Sequence, residues 1–455
     1  MFSPIEKSRW IWANPGWQMA FLFLLVFLSR VPFIDAGYGA NVDAWRVARV
    51  AREIAMTGQY SVSRFPGYPV QEIVCSWFWK GGAVTLNMLT ATLSAVAATA
   101  FAAIARKLQC RDWWLSGLAL AATPIFFVSS VCSKDYMWAI AFVLLAILSA
   151  LYQRSTIAGL LLGVAAGCRI TSLAMLLPIG LILFGSGSGQ QARKILQFSF
   201  STILAGLLAF SPVWLRYGSS FFAFYDNGRP SWATILSRAT VEVWGSVGLL
   251  GLTIAFGSAI WKREKTPPAN KWILAAFLCS ATIYLAAYLR LPDQAGYLVP
   301  IVPCSLLLLS LCTARPTWRV VCLLLVLAPL ADISPGGLIP GAIFRDHAER
   351  LETMGRIRDF LLYSEKLTGR NTIAVGAWEP QIAVLAPGLL KGKNHYVYTL
   401  DAPEAINCVQ KGESIFYLPL IREFNYRVTG TDLDRFGARD LHELFIREQN
   451  ARPSE

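Results

Sequence analysis

The chain has 455 residues, of which 55% are hydrophobic and only 15% are charged, and its mean hydropathy is +0.47. Soluble domains carry roughly 25% charged residues, so this composition excludes an ordinary water-soluble enzyme and predicts a membrane protein. The net charge of +13 comes from lysines and arginines in small groups between apolar runs, not in one basic face, which argues against a nucleic-acid partner.

Eleven apolar runs along the chain are candidate membrane spans. The first, residues 17–34, follows Lys7 and Arg9 and has no small-residue cleavage site after it, so we interpret it as a retained helix and not as a signal peptide. The others are residues 77–105, 114–132, 136–152, 157–167, 170–184, 196–215, 241–261, 272–289, 297–312 and 320–333. Several are shorter than the ~20 residues that a straight helix needs to cross the hydrocarbon. We therefore interpret the two runs on either side of Arg169 as a helical pair that dips toward a cavity.

The orientation in the membrane follows from the basic residues between the spans. Arg106, Lys107, Arg154, Arg193 and Lys194, among others, fall on the same side as the N-terminus. The positive-inside rule assigns that side to the cytoplasm, which predicts a multi-pass protein of the cytoplasmic membrane. An odd number of spans then places the chain after about residue 336 on the extracytoplasmic side.

The C-terminal part, residues 341–455, differs in composition from the membrane part, residues 1–340. It begins with an amphipathic helical pattern and continues with short alternating strands and helices. The strand candidates are residues 371–377, 395–400 and 414–419, and the helix candidates between them are residues 379–386 and 402–410. The predicted fold is therefore mainly α: a polytopic helical bundle followed by a small extracytoplasmic α/β domain.

The first external loop, residues 35–75, is long for this chain, and long loops in compact proteins are usually functional. Residues 43–57 within it form an amphipathic pattern. We expect its apolar side, with Trp45, Ala48, Ala51 and Ala55, to lie in acyl chains, and its arginines to lie at the level of the headgroups.

An aspartate begins this amphipathic pattern. Asp43 fits two roles, which are compatible in one residue. One is an N-cap, and the other is a carboxylate held where a lipid-borne substrate presents its headgroup. Asp35, directly after the first span, is the rival carboxylate. The loop then continues with SRFPGYPVQE, in which two prolines bracket a glycine. This pattern indicates a rigid turn able to hold Arg64, Tyr68 and Glu72 in set directions, although a plain turn has the same sequence signature.

Four further ionisable residues lie in or beside apolar runs. Lys134 and Asp135 form the second external turn, and Arg169 and Arg290 occupy comparable places. An arginine at mid-depth costs ~2.5 to 3.5 kcal/mol on insertion scales, so a bound anion that offsets the cost is one interpretation. A phosphate fits, because guanidinium binds it bidentately. Snorkelling of the side chains to water is the other interpretation.

The chain has few residues arranged as metal ligands or as disulfide pairs. Its nine cysteines lie mostly in or beside apolar runs, without a CxxC pair, and its three histidines form no HExxH motif. We therefore expect neither a disulfide framework nor a metal cofactor.

Several motifs in sequence order resemble those of the GT-C glycosyltransferases, the polytopic family that includes protein O-mannosyltransferases and lipid A aminoarabinose transferases. The resemblance rests on LSRVPF at the end of the first span, an acidic residue followed by a helix ending MTGQY, the SRFPGYP and SKDY turns, and RLPDQAGYLVPIVP. It covers the whole membrane part, and the tail with WEPQIAVLAP is similar to the small external domain of the family.

The resemblance implies an inverting transfer of one sugar from a polyprenyl-phosphate carrier to a glycan, lipid or protein acceptor at the outer face. Asp43 matches the catalytic carboxylate of the first loop, which would take the proton from the acceptor hydroxyl. Asp135 matches the acidic position of the second loop and is the second catalytic candidate, with the role of orienting Lys134 or the sugar. The candidate phosphate ligands are Arg64, Lys134, Arg169 and Arg290. Many family members have adjacent carboxylates in the first loop, whereas Ala44 and Trp45 follow Asp43 here. This departure argues against a divalent metal.

Two other classes of function remain open at this stage. A secondary transporter would also have many spans and buried ions, but transporters usually have two related halves, and this sequence has no such repeat. A non-catalytic lipid-binding membrane subunit is the second alternative, because each candidate residue also has a purely structural explanation.

Overall fold

The computed structural model of the protein describes residues 14–110, 112–185, 187, 189–222, 229–261, 271–388, 392–418 and 421–441. Helices dominate these residues, with short strands near the C-terminus, which confirms the predicted fold class. The helices up to residue 327 are α1 (Pro15–Arg30), α2 (Val42–Thr57), α3 (Pro69–Phe78), α4 (Gly82–Lys107), α5 (Trp113–Ala122), α6 (Pro124–Ser130), α7 (Tyr136–Leu151), α8 (Ser155–Cys168), α9 (Leu176–Phe184), α10 (Gln191–Tyr217), α11 (Trp232–Ala239), α12 (Val241–Trp261), α13 (Lys271–Arg290), α14 (Ile301–Cys312) and α15 (Arg315–Leu327).

Five segments of the described chain are helices long and apolar enough to cross a membrane. A sixth candidate is the pair α5 and α6, which is bent by 68°. The bend falls at Thr123, before Pro124, because proline has no N–H for the helical ladder and favours the first turn of a new helix. The helices α7, α8 and α14 are apolar but shorter. The predicted total of eleven spans stays a prediction.

The last predicted span, residues 320–333, is wrong at its C-terminal end. Helix α15 ends at Leu327, and Ala331–Ser334 forms β1, which pairs antiparallel with β2 (Gly337–Pro340). Prolines 329 and 335 interrupt the helical pattern. Gly337 has a φ of +117°, which residues with a side chain rarely adopt. Apolar composition alone does not distinguish such a hairpin from the end of a helix.

The amphipathic segment within residues 35–75 is a helix, α2, but most of its apolar side is buried in protein and does not lie in acyl chains as we expected; of the four residues named, Ala55 is exposed. Trp45, Ala48 and Ala51 are buried in the protein, with 4% or less of each residue exposed. The Trp45 indole N–H donates a hydrogen bond of 2.8 Å to the carbonyl oxygen of Gly39. The same amphipathic period therefore serves protein packing here, because a helix buries its apolar stripe against any apolar neighbour.

The chain divides into two compact units. The membrane unit comprises the residues up to Tyr38 and Val50–Ala348, and the C-terminal unit comprises Gly39–Arg49 and the residues from Glu349 onward. The N-terminal half of α2 thus belongs to the C-terminal unit. Within the membrane unit, the core is built largely from alanine-rich α4 and from α7, which is buried along most of its length.

The C-terminal unit contains a parallel sheet in the order β4-β3-β5-β6. Strands β3, β4 and β5 lie within or beside the three predicted segments, whereas the short β6 was not predicted. Strand β3 is buried at all four positions. The elements from residue 342 are α16 (Ala342–Ser364), β3 (Asn371–Ala374), α17 (Glu379–Leu385), β4 (Asn394–Val397), α18 (Ala402–Gln410), β5 (Ser414–Tyr417), α19 (Ile421–Thr429) and β6 (Arg439–Asp440). Alternation of strand and helix produces parallel pairing because each crossover returns the chain to the same end of the sheet.

Candidate active site

A buried ionic group lies at the start of α7 in the membrane unit. Asp135, only 2% exposed, accepts a hydrogen bond of 2.9 Å from Nη2 of Arg64 at one carboxylate oxygen. Its other oxygen accepts from Nη1 of Arg169. Two guanidinium groups therefore share one carboxylate. The three side chains together carry a net positive charge and are largely shielded from solvent. Such a group attracts an anion because Coulomb interactions are strong where water is excluded.

The position of Arg169 follows from close packing of the helix that precedes it. Arg169 comes directly after α8, in extended backbone, and α8 packs on α10 through a row of glycines. A Cβ on Gly167 would lie 2.6 Å from Cγ2 of Val70 and from Cβ of Ala209, so only glycine fits there. Small residues at a spacing of four let helix backbones approach closely. This packing fixes where the Arg169 side chain begins.

Aromatic rings cover the Arg169 guanidinium. Its Cζ atom lies 4.6 Å from the ring centre of Tyr136 and 5.0 Å from that of Tyr297. Cation–π contacts of this kind hold a guanidinium in place without using its N–H donors. The sequence analysis did not single out these two tyrosines, although both lie inside the SKDY and RLPDQAGYLVPIVP motifs.

Arg64 is held by the turn in which it lies. Its Nε donates a hydrogen bond of 2.6 Å to the Tyr68 hydroxyl, and its Cζ atom is 4.6 Å from the centre of the Tyr68 ring. Gly67 adopts a φ of +99°, and a Cβ there would lie 3.1 Å from three neighbouring side chains. The turn is therefore compatible only with glycine at this position, and it directs Arg64 toward Asp135.

Glu72 ties the two ends of this turn together. It is fully buried in α3 and accepts hydrogen bonds from the backbone N–H groups of Ser63, at 2.7 Å, and Tyr68, at 3.1 Å. The Tyr60 hydroxyl donates a third bond of 2.5 Å to it. Burial, with the nearby Glu72 charge, raises the pKa of the Tyr60 hydroxyl, so Tyr60 remains a donor. Glu72 thus holds the loop instead of facing a substrate.

Lys134 lies beside the ionic group. Its Nζ is 3.4 Å from Oε1 of Gln294, which also accepts from the Tyr136 hydroxyl at 3.2 Å. The preceding residue, Ser133, donates through its hydroxyl to Asn87 at 2.7 Å and accepts at its carbonyl oxygen from Gln71. These bonds fix the SKD turn on its buried side, so the charged residues that follow Ser133 have defined positions.

A small cavity of about 10 Å³, with room for roughly one water molecule, adjoins Arg169. Tyr136 and Tyr284 contribute polar tips to its wall, and Ala139, Ile140, Val143, Val299 and Pro300 make most of the rest apolar. The Arg169 guanidinium therefore has an apolar wall beside it.

The two rival carboxylates of the first loop differ in their surroundings. Asp43, in the first turn of α2, has a side chain that is 9% exposed, with Oδ1 3.5 Å from Nη1 of Arg46. The Asn41 side chain accepts from the Asp43 backbone N–H at 2.9 Å, so Asn41, and not Asp43, is the N-cap. Asp35, in the membrane unit, has a side chain that is 70% exposed and lies 3.3 Å from Nε2 of His347.

Arg290 lies outside the ionic group. It is exposed at the end of α13 and takes no part in the hydrogen bonds around Asp135. Within the described part of the chain, no three His, Cys, Asp or Glu side chains lie together as a metal site. The expectation that the protein uses no divalent metal stays a prediction.

Similar solved structures are glycosyltransferases of the GT-C type. ArnT from Cupriavidus metallidurans bound to undecaprenyl phosphate superposes with a TM-score of 0.58 at 13% identity, over 94% of this chain and 90% of that one. Its apo state gives a TM-score of 0.59 at 14% identity, over 88% and 89% of the two chains. The Archaeoglobus fulgidus oligosaccharyltransferase, in complex with Zn and sulfate, gives 0.46 at 13% identity, over 82% and 62%.

No family model matches the chain, and no curated protein matches its sequence. Sequence identities of 13 and 14% to ArnT show a common fold and nothing finer. The GT-C resemblance that the sequence motifs indicated is therefore confirmed at the level of the fold: the chain folds as a GT-C-type membrane protein.

Proposed function

We propose that the protein is a membrane glycosyltransferase. It moves a single sugar from a polyprenyl-phosphate carrier to a glycan, lipid or protein acceptor at the extracytoplasmic face of the cytoplasmic membrane. The observation that carries this proposal is the group of Arg64, Asp135 and Arg169, in which two guanidinium groups share one buried carboxylate. The fold of ArnT, a structure of which contains undecaprenyl phosphate, supports the same class of donor.

The proposed chemistry assigns the donor phosphate to Arg64 and Arg169, with Lys134 beside them. In the reaction, the bond between the anomeric carbon and the phosphate oxygen breaks, and the carrier leaves as a polyprenyl phosphate. Negative charge therefore grows on the phosphate in the transition state. Preorganised cations stabilise that growing charge more than the starting ester, which lowers the barrier. Asp135 orients both guanidinium groups, so its role is positioning and not proton transfer.

The acceptor hydroxyl needs a base as its oxygen attacks the anomeric carbon. We assign this role to Asp43, with Asp35 as the alternative, because the GT-C resemblance matches the first-loop carboxylate to Asp43. The acceptor proton goes to the carboxylate, and the new glycosidic bond forms on the face opposite the departing phosphate. Transfer therefore inverts the anomeric configuration.

Purified protein in proteoliposomes tests the proposal. Wild-type protein is expected to release undecaprenyl phosphate from at least one of a panel of undecaprenyl-phosphate sugars when envelope glycolipids are present as acceptors. Arg169→Ala should weaken binding of undecaprenyl phosphate roughly 10- to 100-fold, because a charge-assisted hydrogen bond contributes about 1.5 to 3 kcal/mol. Native mass spectrometry measures the binding, and mass spectrometry of extracted lipids measures the release.

Arg154→Ala is the matched control. Arg154 is exposed in the turn between α7 and α8, at the ends of these helices opposite to Asp135 and Arg169, and its loss should leave binding unchanged. Equal affinity for undecaprenyl phosphate in Arg169→Ala and wild type would contradict the assignment of the phosphate site. Binding without any sugar release from the panel would point instead to a non-catalytic lipid-binding subunit.

A further inference from the structure

The C-terminal unit contains the N-terminal half of α2, and two arginines of this half contact the rest of that unit. Arg49 Nη1 lies 2.7 and 2.9 Å from the two carboxylate oxygens of Glu379, a residue 330 positions away in the sequence. The Arg46 guanidinium carbon lies 5.4 Å from the ring centre of Tyr398. Arg46 is also the residue whose Nη1 lies 3.5 Å from Asp43. A chain of contacts therefore leads from the α/β core of this unit to Asp43.

The residues that receive these arginines lie at the carboxyl ends of two neighbouring parallel strands. Glu379 begins α17, a few residues after β3, and Tyr398 directly follows β4. The Gly376 N–H donates a hydrogen bond of 3.1 Å to the Tyr398 carbonyl oxygen. This bond extends the pairing of the two strands beyond their ends. Gly376 has a φ of +53°, and a Cβ there would lie 2.3 Å from Cδ1 of Ile421. The backbone that presents Glu379 and Tyr398 is therefore tightly constrained.

The carboxyl edge of an open parallel sheet is the edge at which such folds usually bind ligands. In this unit, Arg46 and Arg49 of the chain itself contact that edge. Trp45, only 2% exposed, directly precedes Arg46 in the sequence, and its indole N–H donates a hydrogen bond to the Gly39 carbonyl oxygen. The segment is therefore fixed by apolar burial as well as by charge.

We propose that Glu379 and Arg49 are positioning residues for the glycosyl transfer: their ion pair anchors the N-terminal half of α2 and thereby holds Asp43 in place. This inference rests on the proposed function, in which Asp43 is the base. Glu379 touches no reacting atom and acts through the helix that carries the base.

The size of the expected effect follows from the exposure of the pair. The Arg49 side chain is 49% exposed and that of Glu379 is 16% exposed. Solvent-exposed ion pairs contribute about 0.2 to 1 kcal/mol, so loss of the pair should raise the opening equilibrium constant of the helix by up to about fivefold. The burial of Trp45 and Ala44 keeps the segment folded in the variants.

The experiment uses full-length protein in nanodiscs and the variant Glu379→Gln, which removes the charge and keeps the size. We expect amide hydrogen exchange in residues 42–49 to become faster, by up to about fivefold. The kcat for release of undecaprenyl phosphate should fall, because Asp43 is held less precisely, whereas KM for the sugar donor and affinity for undecaprenyl phosphate stay unchanged. The charge-swapped double variant, Arg49→Glu with Glu379→Arg, should return both quantities toward wild type.

Glu352→Gln is the matched control, because Glu352 is 62% exposed on α16 and pairs only along its own helix with Arg356. It should leave exchange and kcat as they are. Unchanged exchange in Glu379→Gln overturns the inference, and so does faster exchange with an unchanged kcat. If wild-type protein transfers no sugar, the proposed function fails on its own, and the exchange measurement still decides whether Glu379 anchors the helix.

Discussion

Asp35 and Asp43 both lie between α1 and α3, but their environments suit them to different roles. The Asp35 side chain is 70% exposed, so water surrounds most of the carboxylate, and its neighbour is His347 at 3.3 Å. The Asp43 side chain is 9% exposed and lies beside Arg46. A base works best where its orientation is fixed and competing water is excluded, because fewer unproductive arrangements are then available. This difference favours Asp43 as the base.

Exchange of each aspartate for asparagine separates the two residues. Asp43→Asn keeps the size and removes the basic oxygen, so sugar release should fall about 10²- to 10⁴-fold, while affinity for undecaprenyl phosphate is retained. Release of undecaprenyl phosphate from the sugar donor in proteoliposomes measures the first quantity, and native mass spectrometry measures the second. A large loss in Asp35→Asn together with full activity in Asp43→Asn would reverse the assignment.

At the scale of elements, α8 and α10 pack with little more than backbone between them. Gly159, Gly163 and Gly167 recur every four residues on α8, and a Cβ at any of them would lie 2.6 Å or less from an atom of another element. Side chains at positions i and i+4 lie on one face of a helix, so the row forms a single groove. The spacing is visible in the sequence, where it indicates a close helix–helix contact but not which helix fills the groove.

Gly163→Ala tests this packing. The new methyl group would lie 2.4 Å from Cβ of Ala205 and 2.9 Å from two backbone atoms of α10, so the helices must move apart. We expect a loss of about 1 to 3 kcal/mol in stability, measured by thermal unfolding in detergent. Gly180→Ala on α9 is the control, since nothing lies within 4 Å of its Cβ and alanine favours a helix by up to ~1 kcal/mol. Similar destabilisation by both changes would refute the close-packing explanation.

Helix and strand positions could largely be predicted from the sequence, because each depends on a local period. The pattern at residues 272–289 corresponds to α13 (Lys271–Arg290), and the strand candidate at 414–419 corresponds to β5. The errors arose where the local signal was ambiguous. The hairpin at 331–340 is as apolar as a helix end, and residues 170–175 form a 3₁₀ turn within an apolar run expected to be one helix.

At the scale of the whole molecule, the charged residues of the candidate site could be predicted from the sequence, but the contacts among them could not. Arg64, Asp135 and Arg169 are separated by 71 and 34 positions, and their meeting depends on how α3, α7 and α8 pack. In the sequence, Arg290 lies beside an apolar run as Arg169 does, but in the structure it lies at an exposed helix end. Similarly, no local pattern assigns the first half of α2 to the C-terminal unit, because that depends on contacts such as that between Arg49 and Glu379.

The membrane topology is the remaining prediction at this scale. The positive-inside rule, applied to basic residues such as Arg315 and Arg319, which share Asp112 at 3.0 Å, predicts that one set of loops lies in the cytoplasm. We therefore expect a green fluorescent protein fused after Gly187 to fluoresce, and alkaline phosphatase fused after Asp440 to be active, because that enzyme needs the oxidising exterior for its disulfides. If the two reporters are exchanged between these sites, we expect neither fluorescence nor phosphatase activity. A fluorescent fusion after Asp440 would put the C-terminal unit in the cytoplasm, on the wrong side for the proposed transfer.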